Sequence, residues 1–420
     1  MPQRQGNIIS QSQRRVVVCY IPGLDTRRIS ADLTPEIAAL IERYPSLKTS
    51  TLPTTDAVPV LLSGVYPHQN HIWQVSIDRQ RKRTMTQRLV DMLPDLVTTT
   101  AQCVRHKFNP KFDLAGIPPR RLREFTQHRL SETNRAKSPE IMAEFNGYAG
   151  LLSLLGEDSK YTFTLRFDAL DALEQRIPED SVGFEFLQMH AMDIYQHWHI
   201  DDEAGMRVAL GRTDEFVARL RDNCAGSGHT LVVLCDHGQE PVRNTIPLVR
   251  TLKKSGVPQA EYNYYVELSA ARLWFHTDRA RDTIIPLIRS LPDCQLLHFS
   301  EMHQYHVCFD DSKFGEYTVM ADPGSIFFPH DFYHPIANFY LGMTGPSQRP
   351  RRFNAVHRGS HGYLPHHPSE QGFVVVVDDG VESNRETMSV IDFAPTMLAY
   401  LGAEIPSHMT GQNVLTACQP

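Results

Sequence analysis

The sequence predicts an α/β protein with a mostly parallel sheet covered by helices on both faces, and three observations predict it. Charge-free apolar runs, above all residues 231–235 (LVVLC) and 372–377 (GFVVVV), read as strands buried on both sides. Stretches with helix-capping signals alternate with such runs, which is the grammar of a sheet with crossover helices. The first of those runs leads directly into Asp236-His237-Gly238, a polar turn at a strand's carboxyl end, where open α/β sheets bind ligands.

Taken in order, residues 15–21 (RVVVCYI) are a β-branched run that stops at Pro22-Gly23, a first buried strand and its turn. Thr34-Pro35-Glu36 opens a helix through Arg43, with Thr34 as N-cap and Pro35 at the first helical position. A Thr-rich loop over 49–55 leads to a small-residue segment closing at Ser63-Gly64. Residues 96–104 and 181–189 read as strands, and 201–223 as a helix capped by Asp201 or Asp202. The strand at 372–377 is followed by a helix from about Arg385 to Tyr400, stopped at Gly402. Residues 105–160 and 260–345 fit the alternation less well. They read as insertions capping the sheet's ligand-binding edge within one domain over 1–420.

Composition narrows the function. A formal charge of −6 over 420 residues argues against a nucleic-acid-coating protein. No stretch approaches the roughly 18 apolar residues of a membrane span, and the start lacks a signal peptide's apolar core, so a cytoplasmic protein with no membrane partner is expected. The seven cysteines are odd in number and form no C-x-x-C pair, which predicts free thiols.

Three segments carry metal-type ligands. Asp193 and His197 stand four apart in MHAMDIYQHWH, the spacing that puts both on one helix face, where they form either an ion pair or half of a metal site. His361 lies in HRGSHGY just before the strand at 372–377; taken alone it belongs to a polar, His-rich loop. Asp236 and His237 complete a set of five, enough for most of a two-metal centre.

In this order the motifs resemble the alkaline phosphatase superfamily, most closely its nucleotide pyrophosphatase/phosphodiesterase branch. Segments without chemistry share the resemblance. Leu62-Ser63-Gly64-Val65-Tyr66-Pro67 is similar to the LTG-x-x-P segment after the nucleophile, and residues 391–411 to the D-x-A-P-T-x-L … LG … P … M-x-G ending. The resemblance implies an alkaline-phosphatase-like three-layer sandwich with a cap insertion. It implies one metal on Asp193, His197 and His361, and a second on Asp236 and His237 with a nucleophilic Thr and an Asp after the first strand. The nucleophile falls in Leu52-Pro53-Thr54-Thr55-Asp56-Ala57: the family's spacing from Ser63-Gly64 favours Thr54, the Pro-Thr-Thr text favours Thr55, and the other is an N-cap.

The chain departs from the family where the Asp after the first strand is expected, because that slot is Pro22. Asp56 is the preferred substitute ligand and Asp25 the alternative. After Pro67, His68 and His71 replace the usual pattern and read as structural or substrate-facing; the sulfatase nucleophile motif is absent. The basic clusters Arg79, Arg81, Lys82, Arg83 and Arg120, Arg121, Arg123, Arg129 are solvated faces or contacts for an anionic substrate. The expectation is a phosphodiesterase/pyrophosphatase-type hydrolase with a Thr nucleophile, two divalent ions (zinc, or manganese) and a small phosphorylated substrate. The alternatives are a lapsed member acting as a binding or scaffold protein, and a phosphomutase or phosphonate hydrolase on the same core.

Overall fold

The computed structural model describes residues 14–53, 56–73, 75–77, 85–108, 125–127, 144–309, 312–383 and 385–418. The strands that place the site are β1 (Val16–Tyr20), β2 (Ser46–Ser50), β3 (Ser159–Thr164), β4 (Phe184–Met189) and β5 (Thr230–Cys235). They continue with β6 (Tyr262–Val266), β7 (Ala270–Phe275), β8 (Cys294–His298), β9 (Tyr317–Ala321), β10 (Gln371–Val376) and β11 (Thr387–Ser389). The helices are α1 (Pro35–Arg43), α2 (Val58–Ser63), α3 (Asp95–Phe108), α4 (Ala191–His199), α5 (Glu203–Ser227) and α6 (Phe393–Tyr400).

The central sheet has seven strands in the order β11-β2-β10-β5-β1-β4-β3. β1 runs parallel to β4 and β5, β3 parallel to β4, and β11 parallel to β2; β10 is antiparallel to both its neighbours. The sheet is therefore mixed and mostly parallel. Alternation along β1 divides the core: Val16, Val18 and Tyr20 pack with α2 and α6 on one face, while Val17 and Cys19 pack with α1 and α5 on the other. Residues buried on both faces explain why the strand runs carry no charge. Within the segment 260–345, β6, β7, β9 and β8 form a four-stranded antiparallel sheet.

Local readings needed correcting where tertiary contacts override propensity. Residues 96–104 lie in helix α3, not a strand: Thr98, Thr99 and Cys103 share a buried stripe while the β-branched Val97 and Val104 stay exposed. Ser46–Ser50 is a strand that the polar sequence SLKTS conceals, because only Leu47 and Thr49 point inward. The helix expected from about 385 starts at Phe393, since Thr387–Ser389 first adds an edge strand beside β2.

Thr34 makes no side-chain cap on α1; Asp214 of α5 caps it instead, accepting from the backbone N–H groups of Glu36 (3.1 Å) and Ile37 (2.9 Å). Asp202 does cap α5, accepting from Gly205 N–H at 3.0 Å. Among the described residues, no helix is long and apolar enough to cross a membrane.

Candidate metal centre

The sheet delivers its polar groups at one end. β4 finishes at Met189, the chain turns at His190, and α4 carries Asp193 in its first turn and His197 one turn on. The carboxylate thus sits at the helix end that favours negative charge. His361 arrives from far along the chain, on the loop after Gly359–Ser360, which pairs antiparallel with Glu240–Pro241 just beyond Asp236-His237.

Asp193, His197 and His361 converge: one ligand atom from each lies within 4.8 Å of the others. Asp193 Oδ2 is 3.5 Å from His197 Nε2, and Oδ1 is 3.4 Å from His361 Nε2. Both imidazoles therefore present Nε2 to the carboxylate. For His197 the reason is on the other ring nitrogen, since Nδ1 lies 2.9 Å from the Gly359 carbonyl, which can only accept. That bond makes Nδ1 the donor and turns Nε2 toward Asp193. His361 Nδ1 is buried with no hydrogen-bond partner among the described residues.

Burial opposes ionisation of Asp193, but His197, His361 and His190 around it prevail and hold its carboxyl well below the usual carboxylate range. Burial pushes His361 well down, with His237 adding to it, so the imidazole is neutral. The anionic Asp193 carboxylate and the neutral His361 imidazole are donor states that a divalent cation requires.

Asp236 and His237 stand beside this trio. Asp236 Oδ2 is 3.6 Å from His237 Nε2, and the His237 ring stacks on His361 with centroids 3.8 Å apart. His237 Nδ1 is 2.8 Å from the Gly238 carbonyl, which turns Nε2 toward Asp236. Asp236 Oδ1 is buried and has no hydrogen-bond partner among the described residues. Gly238 is required by crowding: a Cβ there would stand 2.6 Å from Asp25 Cγ.

Asp56, Asp25, His68 and His71 have partners of their own. Asp56 accepts from Val58 N–H at 3.3 Å and joins no ligand cluster among the described residues. Asp25 is clamped by the Arg27 guanidinium, with Nε at 2.9 Å and its terminal nitrogen at 2.6 Å. His68 and His71 pack on the cap, His68 Nδ1 lying 3.1 Å from the His306 carbonyl and His71 against Phe309. Thr54, Thr55 and both basic clusters lie outside the described residues.

Two supporting residues escaped the sequence reading because nothing local marks them. Gln239 donates to Asp193 Oδ1 at 2.6 Å and to its carbonyl at 3.0 Å, fixing the carboxylate in place. Glu370, fully buried, accepts from Gly362 N–H at 3.0 Å and ties down the loop just past His361.

Burial raises the Glu370 carboxyl to about 7 from an ordinary 4.5, with His237 and its hydrogen-bond donors only partly offsetting that. A folded-state pKa above the unfolded one gives stability that is full below the unfolded value and is lost as pH rises through the folded one. In protein stripped of metal by a chelator, Glu370→Gln should gain roughly 3 kcal/mol relative to wild type between about pH 4.5 and pH 8. Urea unfolding at the two pH values measures this, and an unchanged difference would refute it.

Residues 16–311 match the family described as Type I phosphodiesterase / nucleotide pyrophosphatase. Among solved structures, the chain is similar to murine ectonucleotide pyrophosphatase/phosphodiesterase 5 with a TM-score of 0.61 at 13% identity, covering 96% of this chain and 100% of that one. The inactive murine variant in complex with AMP gives a TM-score of 0.62 at 13% identity over 96% and 100% of the two chains. The human counterpart gives 0.61 at 12% identity over 95% and 97%. The curated proteins contain no match.

Proposed function

The chain belongs to the type I phosphodiesterase/nucleotide pyrophosphatase family, and from that premise we propose that it is a metal-dependent phosphoric-ester hydrolase acting on a diester or pyrophosphate of a small phosphorylated molecule. The observation that carries this reading is the convergence of Asp193, His197 and His361 at the carboxyl end of the sheet. Asp193, His197 and His361 would hold one divalent ion, and Asp236 and His237 a second. Bound there, the ions would supply positive charge against phosphoryl oxygens and acidify a hydroxyl; nitrogen and oxygen donors favour zinc, with manganese the alternative.

On the chain's side, Thr54 or Thr55 attacks phosphorus. A Thr O–P bond forms as the ester P–O bond breaks, the hydroxyl proton leaves to solvent, and the phospho-threonine is then hydrolysed by water. Asp193 and Gln239 keep the ligand set in register throughout, and the carbonyls of Gly359 and Gly238 fix the orientation of His197 and His237.

The test is hydrolysis of an aryl phosphodiester and an aryl phosphomonoester before chelation, after it, and after readdition of zinc or manganese. Diester turnover exceeding monoester turnover, lost on chelation and restored by metal, is the expected result. Metal-loaded protein that cleaves neither ester would instead support a binding or scaffold role, the reading that Pro22 favours.

A further inference from the structure

The two halves of the centre are unequal in what they offer a cation. Asp193, His197 and His361 bring three converging donors, with Asp193 held by Gln239 and His197 by the Gly359 carbonyl. The neighbouring position has Asp236 and His237, whose facing atoms are 3.6 Å apart.

Sheet register shows what is missing. Tyr20 of β1 pairs with Leu234 of β5, and Ile21 N–H donates to the Leu234 carbonyl at 2.8 Å, so continuing the pairing sets Pro22 level with Asp236. Tyr20 and Leu234 are the last pair of the two strands, and Pro22 and Asp236 each follow two residues on, Pro22 opening the turn that ends β1. A donor at 22 would leave the strand end level with Asp236 and could share a cation with it, and proline has none to offer.

Neither nearby carboxylate makes up the loss. Asp25, almost wholly buried, takes three bonds from the Arg27 guanidinium and one from the Arg27 backbone N–H. Arg27, exposed at the surface, is held in turn by Glu240 at 2.9 Å and the Gln239 carbonyl at 2.8 Å, so its guanidinium competes with a cation for the Asp25 carboxylate. Asp56 is engaged with the start of α2 through Val58 N–H.

We infer that the resting chain binds one divalent ion tightly, through Asp193, His197 and His361, and that Asp236 and His237 bind a second at least about 100-fold more weakly. This rests on the metal-dependent reading above and specifies the occupancy of that centre. The second ion is filled only at elevated metal concentration.

The test uses the whole chain, saturated with zinc, passed through a desalting column and measured by elemental analysis, with calorimetric titration of zinc into chelator-treated protein. One zinc per chain retained, with a second binding event weaker by about 100-fold or more, is the expected result for wild type. Two zinc ions retained with similar affinity would overturn the inference while leaving the hydrolase reading intact; no zinc bound at all would sink both. Pro22→Asp should retain two zinc ions, and a folded Pro22→Asp chain that still retains one would overturn the role given to Pro22. Electron paramagnetic resonance with manganese supplies a check independent of variants: wild type with one equivalent should show the sharp spectrum of an isolated ion, and an exchange-coupled signal at that loading would count against the inference.

Discussion

His361→Ala is expected to remove the tightly bound metal and to lower diester hydrolysis at least about 1000-fold, a loss of about 4 kcal/mol in transition-state stabilisation. The size follows from position. His361 supplies one of three converging donors, 3.4 Å from Asp193, and its ring stacks at 3.8 Å on His237, so one truncation disturbs both halves of the centre. Elemental analysis and steady-state kinetics read the two effects separately. The cost to folding should be small, because the imidazole's Nδ1 is buried without a partner among the described residues and its removal relieves that penalty while leaving a cavity. Thermal unfolding in chelator should therefore leave the variant within about 5 °C of wild type. Full zinc content with full turnover in His361→Ala would refute the assignment of this centre.

Replacing the nucleophile is expected to have the larger effect. Of Thr54→Ala and Thr55→Ala, one should lower turnover on the order of 10⁴-fold or more, because it removes the oxygen that forms the bond to phosphorus. The other should cost about 1 kcal/mol of stability as a lost cap and leave turnover within about tenfold of wild type. The flanks of the pair are well anchored. Pro53 accepts from the Trp73 indole N–H at 3.1 Å and Asp56 from Val58 N–H at 3.3 Å. Acid quench during diester turnover, followed by peptide mapping, should find the phosphoryl group on the residue whose loss stops the reaction. Activity surviving in both single variants and in the double variant would exclude a covalent threonine route while sparing the metal centre.

Much of the fold was legible because the informative elements are local. The runs at 15–21, 231–235 and 372–377 carry no charge within the buried part, and they became β1, β5 and β10 at the middle of the sheet. Where sequence reading failed, a partner distant in sequence had changed the local balance. Residues 96–104 are β-branched and threonine-rich, yet α3 forms because Thr98, Thr99 and Cys103 fall on one buried stripe. Thr34 has the right chemistry for a cap, but Asp214 reaches the same backbone N–H groups from α5.

The candidate centre divides in the same way. The spacing of Asp193 and His197, and the placing of Asp236-His237 at a strand end, are properties of a few consecutive residues, and the sequence by itself determined them. That His361 meets Asp193 depends on the pairing of Gly359–Ser360 with Glu240–Pro241, which no local pattern specifies. The fate of Asp25 likewise turned on which group reached it first. An arginine two residues away holds the carboxylate, and that guanidinium is aimed by Gln239 and Glu240 on another segment. Ligand type is written in the chain, but whether a donor is free to bind depends on competition among groups brought together by register and packing, and only the tertiary structure decides that.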